Sequence, residues 1–214
     1  MANRSTSGFG LRMAMKLGNS PAIGGQSKYA IKSGLGVGIF KGNPASIQLA
    51  GDTGYIQDSG FSTTDDGNDG GIDFTTANDA LLVGVHNGVF YIDNTTSKPT
   101  FANSVAASTT FGTNPNTNST DGVAFVNDDP DQEYVVKADA AVGQAIFGLC
   151  GNINDFAAGD AKDGASTATF DSGTQAETKM FRIVRSAEDP DNEDLTVAGA
   201  NIIVVINAAA NTYR

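Results

Sequence analysis

Tryptophan is absent from this chain of 214 residues, and cysteine and histidine each occur once. The single Cys150 excludes a disulfide within the chain, and its apolar neighbours predict a buried, unreactive thiol. No residue pattern near His86 would make that side chain an acid–base catalyst. Phosphate-binding loops, nucleophile elbows and zinc motifs are also missing. The sequence therefore predicts a protein that is not an enzyme and that needs no cofactor or metal.

Acidic side chains are missing from residues 1–51, which carry six Lys and Arg. The rest of the chain has all 24 Asp and Glu with seven Lys and Arg, so the two parts have net charges of +6 and −17. This asymmetry predicts two parts with different roles: an extended basic arm at 1–28 and an acidic all-β body at 29–214. Two small β subdomains divided near 93–121 are an alternative for the body. Phosphate would repel the acidic body, so we expect no nucleic-acid partner.

Long apolar runs are absent as well. The longest, Ile202–Ile206, has the length of a strand, whereas a membrane helix needs about 20 residues, so we expect no membrane partner. Glycine is abundant, 26 residues of 214, and Thr, Asn and Asp are frequent. This composition is typical of short strands joined by turns. It predicts a mainly β fold, an antiparallel sandwich or barrel of about nine to eleven strands with long surface loops.

The turn signals predict where the strands lie. Gly42-Asn43-Pro44 predicts a hairpin within 29–50, and Asn87-Gly88 predicts a hairpin across 81–92. Further strands are expected near 123–126, 134–136, 180–184 and 202–206, with a turn at 128–130. Polar loops are expected at 62–79 and 93–121.

The arm has a strand-like pattern of its own. Apolar side chains alternate with polar or small ones from Phe9 to Leu17, and Arg12 and Lys16 fall on the opposite face. Such a strand has little core of its own, which indicates a segment that becomes ordered on a partner. A disordered tail or a first strand of the main sheet are the alternatives. The predicted contact residues are Arg4, Arg12 and Lys16 for charge and Phe9, Leu11 and Met13 for apolar anchoring.

Two acidic stretches, Asp65–Gly70 and Asp189–Asp194, loosely match the start of a calcium loop. Each departs from the pattern, since neither has the bidentate Glu at the twelfth position. We interpret both as solvated surface turns, and weak calcium binding stays open.

Several landmarks together resemble small structural proteins of marine tailed bacteriophages. They are the head NRSTSGFG at 3–10, SGLGVGIFKGNPASI at 33–47, LLVGVHNGVFYIDN at 81–94, AFVNDDPDQEYVV at 124–136 and IIVVINAAANTY at 202–213. The resemblance implies a capsid decoration, or cement, protein that reinforces a phage head from outside, and it supplies no catalytic residues.

The resemblance also implies partners and a location. The major capsid protein would be the partner, with a dimer or trimer of this chain on the shell left open. The location would be the exterior of the virion capsid, after assembly in the host cytoplasm. A head–tail connector, a tail part or a fibre-like adsorption component is the alternative function. A carbohydrate-binding β module is a weaker one.

Overall fold

Antiparallel strands make up nearly all the regular structure in the described part of the protein. The computed structural model describes residues 3–22, 25–48, 52–58, 81–154, 159–173, 175, 177 and 179–208. Ten strands have three or more residues: β1 (Arg12–Lys16), β2 (Ser27–Ile31), β4 (Pro44–Ile47), β5 (Ile56–Asp58), β6 (Leu81–Ile92), β7 (Pro99–Ala102), β9 (Gly122–Asn127), β10 (Gln132–Lys137), β14 (Phe181–Ser186) and β15 (Asn201–Ile206). Five have two: β3 (Ile39–Phe40), β8 (Ser104–Val105), β11 (Cys150–Gly151), β12 (Ile153–Asn154) and β13 (Thr169–Phe170). The prediction of a mainly β fold built from antiparallel sheets is confirmed.

A five-stranded sheet carries the C-terminal part of the core. Its order is β1-β10-β15-β14-β11, and every pairing is antiparallel. All six residues of the central strand β15 are buried, which agrees with a run of apolar residues that does not alternate. The strand β1 lies at one edge of this sheet.

A six-stranded sheet has the order β2-β9-β6-β4-β5, with β7 also paired to β6. Its long strand β6 contradicts the predicted hairpin at 81–92, because the chain continues straight through Asn87-Gly88. The pairing of β6 with β9 shifts register between His86 and Gly88. Gly88 has φ +147°, a backbone conformation that side-chain-bearing residues rarely adopt. The Asn-Gly pair therefore forms a bulge within one strand and not a turn between two.

The turn at 128–130 joins the two sheets. The sequence predicted both flanking strands correctly, yet β9 belongs to the six-stranded sheet and β10 to the five-stranded sheet. The Tyr134 hydroxyl donates a hydrogen bond to the carbonyl of Asn127 across this junction, at 3.2 Å. The chain thus changes sheets where a hairpin would have been the simplest expectation.

Among the described residues, two apolar clusters fill the interior, and β6 contributes to both. Leu82 and Val85 pack in one cluster with residues of β10, β14 and β15. Val83 and Val89 pack in the other, with residues of β2, β3, β4, β5 and β9. Because Leu82 and Val85 face the five-stranded sheet, that sheet and the six-stranded sheet pack together around a shared core.

Other sequence-based predictions of strand pairing and of loops were also wrong. The strands on either side of Gly42-Asn43-Pro44 are β3 and β4, but β3 pairs with β8, and β4 pairs with β5 and β6, so they do not form a hairpin. The strand β2, earlier in the same range, pairs with β9. The loop expected at 93–121 contains β7 and β8. The loop expected at 62–79 lies outside the described residues. In the described part of the chain, no helix is long and apolar enough to cross a membrane.

Candidate functional site: the N-terminal edge strand and its cleft

The N-terminal segment lies on the body as the first strand of the five-stranded sheet. β1 pairs with β10 through Arg12 opposite Val135 and Met13 opposite Tyr134. Beyond the pairing, the Gln132 side chain donates a hydrogen bond to the carbonyl of Met15 at 3.0 Å. One of the two alternatives to a free arm, a first strand of the main sheet, is therefore what the structure has.

Leu11 anchors this segment in the core. It is 3% exposed, packs in the cluster beneath the five-stranded sheet, and its N–H donates to the carbonyl of Gly42 at 2.8 Å. Gly8 lies against backbone, since a Cβ there would come within 1.9 Å of the carbonyl oxygen of Thr167. The predicted role of Leu11 as an anchor on another protein is thus corrected, because the side chain is already buried in this one.

The outer side of β1 has no neighbouring strand among the described residues. At its end, however, Lys16 forms an isolated antiparallel bridge with Ser20, and the Lys16 N–H donates to the Ser20 carbonyl at 2.9 Å. Three large apolar side chains are exposed there or just beyond: Met13 at 36%, Met15 at 43% and Leu17 at 38%. We call these three residues the edge patch. Unpaired strand edges with apolar side chains are surfaces to which another chain can add a strand.

The charged residues predicted for contact are held in three different ways. Arg4 pairs with Asp191 at 2.9 Å on the surface, and Lys16 forms an ion pair with Asp129. The Arg12 guanidinium lies over the Phe9 ring, 4.2 Å from its centroid. Arg12 has no ion-pair partner within the described parts of the chain. Of the three cations predicted for contact, it is the one that is not held in an ion pair there.

The residues before β1 are held by polar contacts. The Lys137 ammonium donates to the carbonyl of Ser5 at 2.9 Å and to that of Gly199 at 3.2 Å. The Asn3 side chain donates to the carbonyls of Asp194 and Ala198, both at 3.0 Å. Burial lowers the pKa of Lys137, partly offset by the nearby Asp189 carboxylate.

A cleft of about 430 Å³ lies beside the start of β1. It joins residues from both sheets and from the loop at 159–165, so distant parts of the chain form one concave surface. Its apolar and polar lining residues are Phe9, Leu11, Arg12, Met13, Lys41, Gly42, Val85, His86, Asn87, Asn103, Asn127, Asp163 and Ala165. Four of the six predicted contact residues therefore line a single cleft.

Two polar side chains of the cleft are buried and incompletely paired. His86 is 1% exposed, and its Nε2 lies 3.2 Å from the carbonyl of Gln57, while its Nδ1 has no hydrogen-bond partner among the described residues. Asn127 is 2% exposed, and neither side-chain atom has a partner within those residues. Burial lowers the pKa of His86 to about 4, so the ring is neutral at pH 7 and Nδ1 is an acceptor when Nε2 donates.

Cys150 and the acidic turn at 189–194 show structural roles. Cys150 is buried opposite Arg182, and burial raises the pKa of its thiol. The Asp189 carboxylate accepts hydrogen bonds from the side chains of Asn192 and Asn201. In the ranges that the structure covers, no three His, Cys, Asp or Glu side chains are grouped to hold a metal ion. The calcium candidate at Asp65–Gly70 lies outside those ranges.

Comparison with protein-family models, with curated proteins and with solved structures finds no match to this chain. The resemblance to phage decoration proteins accordingly stays a prediction.

Proposed function

We propose that this chain is a virion structural protein, a decoration protein that binds the outside of a phage head and reinforces the shell. The observation that carries the proposal is the one-sided edge strand β1 with the exposed edge patch. In this proposal the major capsid protein adds a strand, or an extended segment, along the free side of β1. In this proposal, the segment predicted to be a free basic arm is instead folded onto the body before the partner binds.

Charge supports the same surface. Arg12 is the one predicted contact cation that forms no ion pair within the described ranges, whereas Arg4 and Lys16 are paired with Asp191 and Asp129. The acidic body would keep neighbouring copies apart, and the unpaired Arg12 would attract an acidic partner. A dimer or trimer on the shell would add strength by multivalency, without any new contact within each copy.

The contribution of the edge patch to the binding free energy can be estimated from its exposed area. The exposed fractions of its three side chains add to about one whole side chain, so burying them is worth roughly 1.5–3 kcal/mol. That energy corresponds to roughly a 10- to 150-fold change in affinity.

The test is binding of purified protein to undecorated heads, measured by co-sedimentation. Replacing Met13, Met15 and Leu17 by threonine keeps strand propensity but removes the apolar surface, and we expect affinity to fall by the amount above. Phe101→Thr is the matched control, because Phe101 is 74% exposed on the other sheet. Equal binding by the triple variant and the wild type would refute docking through β1.

A second candidate, an adsorption component of the tail or a carbohydrate-binding module, has one observation in its favour. Phe90 and Phe101 have ring centroids 4.7 Å apart, and Phe101 stacks with Phe125 at 6.3 Å on the six-stranded sheet. Exposed aromatic rings can stack on sugars. Glycan-array binding that Phe101→Ser abolishes would favour this candidate over decoration.

A further inference from the structure

The cleft beside β1 combines features that match one kind of ligand. It lies beside the start of β1, since Arg12 and Met13 belong both to that strand and to the cleft lining. A segment that adds to β1 would therefore pass its mouth. The volume of about 430 Å³ lies within the range of about 300–1,000 Å³ found for small-ligand sites.

The two cations that line the cleft favour an anionic ligand. Neither Arg12 nor Lys41 has an ion-pair partner within the described ranges, and both are exposed. The one carboxylate in the lining, Asp163, accepts a hydrogen bond from the N–H of Ala165 at 2.9 Å. The lining thus has two positive charges against one negative charge, in a chain whose net charge is −11.

The unpaired neutral polar atoms of the cleft match the donor and acceptor of a peptide group. His86 Nδ1 is an acceptor, and Asn127 has both a donor and an acceptor without partners among the described residues. A buried polar group without a partner costs stability, and a ligand that supplies the partner recovers it. A peptide group supplies an N–H for the acceptor and a carbonyl for the amide. Phe9 and Met13 offer apolar contact for an aliphatic stem.

We propose that this cleft binds an acidic side chain, together with its own peptide group, from the extended partner segment that adds to β1. The carboxylate lies between Arg12 and Lys41, and the peptide group pairs with His86 and Asn127. This inference rests on the proposed docking through β1 and adds to it the chemistry that the partner segment must carry.

The test uses a blocked amino acid as a probe. N-acetyl-glutamate N-methylamide is titrated into the full chain at pH 7 while NMR follows the His86 ring and the Asn127 side-chain amide. His86 is the only histidine, so its ring signals need no further assignment. The neutral isostere, N-acetyl-glutamine N-methylamide, is the matched probe. We expect both residues to shift with the glutamate probe, with at least fivefold tighter binding than for the glutamine probe.

Charge variants complete the test. Arg12→Gln and Lys41→Gln should each remove most of the affinity difference between the two probes. Lys28→Gln, at an exposed position of β2, should leave that difference unchanged. Lys41 is exposed, so its variant keeps the test valid even if Arg12→Gln fails to fold. Equal affinity for both probes, or no shift at His86 and Asn127, would overturn the inference.

The outcomes are separable from those of the proposed function. Head binding that depends on the edge patch, with no response of the cleft to the probe, refutes the cleft alone. A selective response of the cleft in a protein that does not bind heads refutes the decoration proposal and retains a site for acidic peptides.

Discussion

Replacing Leu11 by alanine should destabilise the whole body, although the sequence suggests that Leu11 belongs to a free arm. The side chain is 3% exposed and packs in the cluster that includes Tyr134 and Phe170. Removing a fully buried leucine side chain typically costs about 2–5 kcal/mol, which includes the cavity left behind. For a domain of this size, that corresponds to a fall in melting temperature of roughly 4–20 °C.

Met15→Ala is the matched control, because Met15 lies four residues after Leu11, in β1, and is 43% exposed. Its cost should stay below about 1 kcal/mol, because much of the side chain is already in water. Urea unfolding followed by far-UV circular dichroism measures both variants. If Leu11→Ala matches Met15→Ala within about 0.5 kcal/mol, residues 3–22 do not contribute to the core and the placement of β1 is wrong.

Three further predictions concern stability. Gly8→Ala should loosen the residues before β1, because its Cβ would clash with the carbonyl oxygen of Thr167, and limited proteolysis should then cleave the N-terminal segment faster than in the wild type. Arg185→Met should cost about 1–3 kcal/mol in urea unfolding, because the buried Glu133 carboxylate loses two hydrogen bonds of 2.8 and 2.6 Å; an unchanged midpoint would show that the pair is not formed. The free energy of unfolding should fall as pH drops from about 6.5 to about 4, because the unfolded chain protonates His86 in that window and the native chain does not. The loss from this group is up to about 3 kcal/mol, and His86→Gln should flatten that part of the pH profile; an identical profile in the variant would contradict the burial of a neutral ring.

Most of the longer strands were predictable from sequence, because they have their own apolar pattern, whereas β7 and β8 lie in a segment predicted to be a loop. β15 stands out as a run of β-branched residues and β10 by Tyr134, Val135 and Val136, and the turn at 128–130 has the aspartates and proline that such turns favour. Strand partners were not predictable in the same way. β1 pairs with β10, more than a hundred residues away, and no local signal encodes that pairing.

The hairpin predicted at 81–92 shows a second limit of prediction from local sequence. Asn-Gly allows positive φ whether the chain turns back or bulges, so the local chemistry is the same for both. What decides is the pairing of β6 with β4 and β7 on one side and with β9 on the other, and residues 82–86 are all buried. Tertiary packing therefore overrides a strong turn signal here.

The candidate site was predicted only in part. The alternation from Phe9 to Leu17 identified the strand, and Met13 is exposed on it. Its contact with a partner stays a prediction. The burial of Leu11 was missed, since alternation cannot tell a partner from the rest of the chain. Lys41, His86 and Asn127 were missed as parts of a cleft, because they meet only after the two sheets pack together.

The most direct test of the proposed decoration role is whether, and in how many copies, this chain occurs in purified virus particles. Quantitative mass spectrometry against the major capsid protein measures it. Decoration predicts hundreds of copies per particle, in a fixed ratio to the shell protein. A dozen copies or fewer, or none, would contradict a role on the capsid surface.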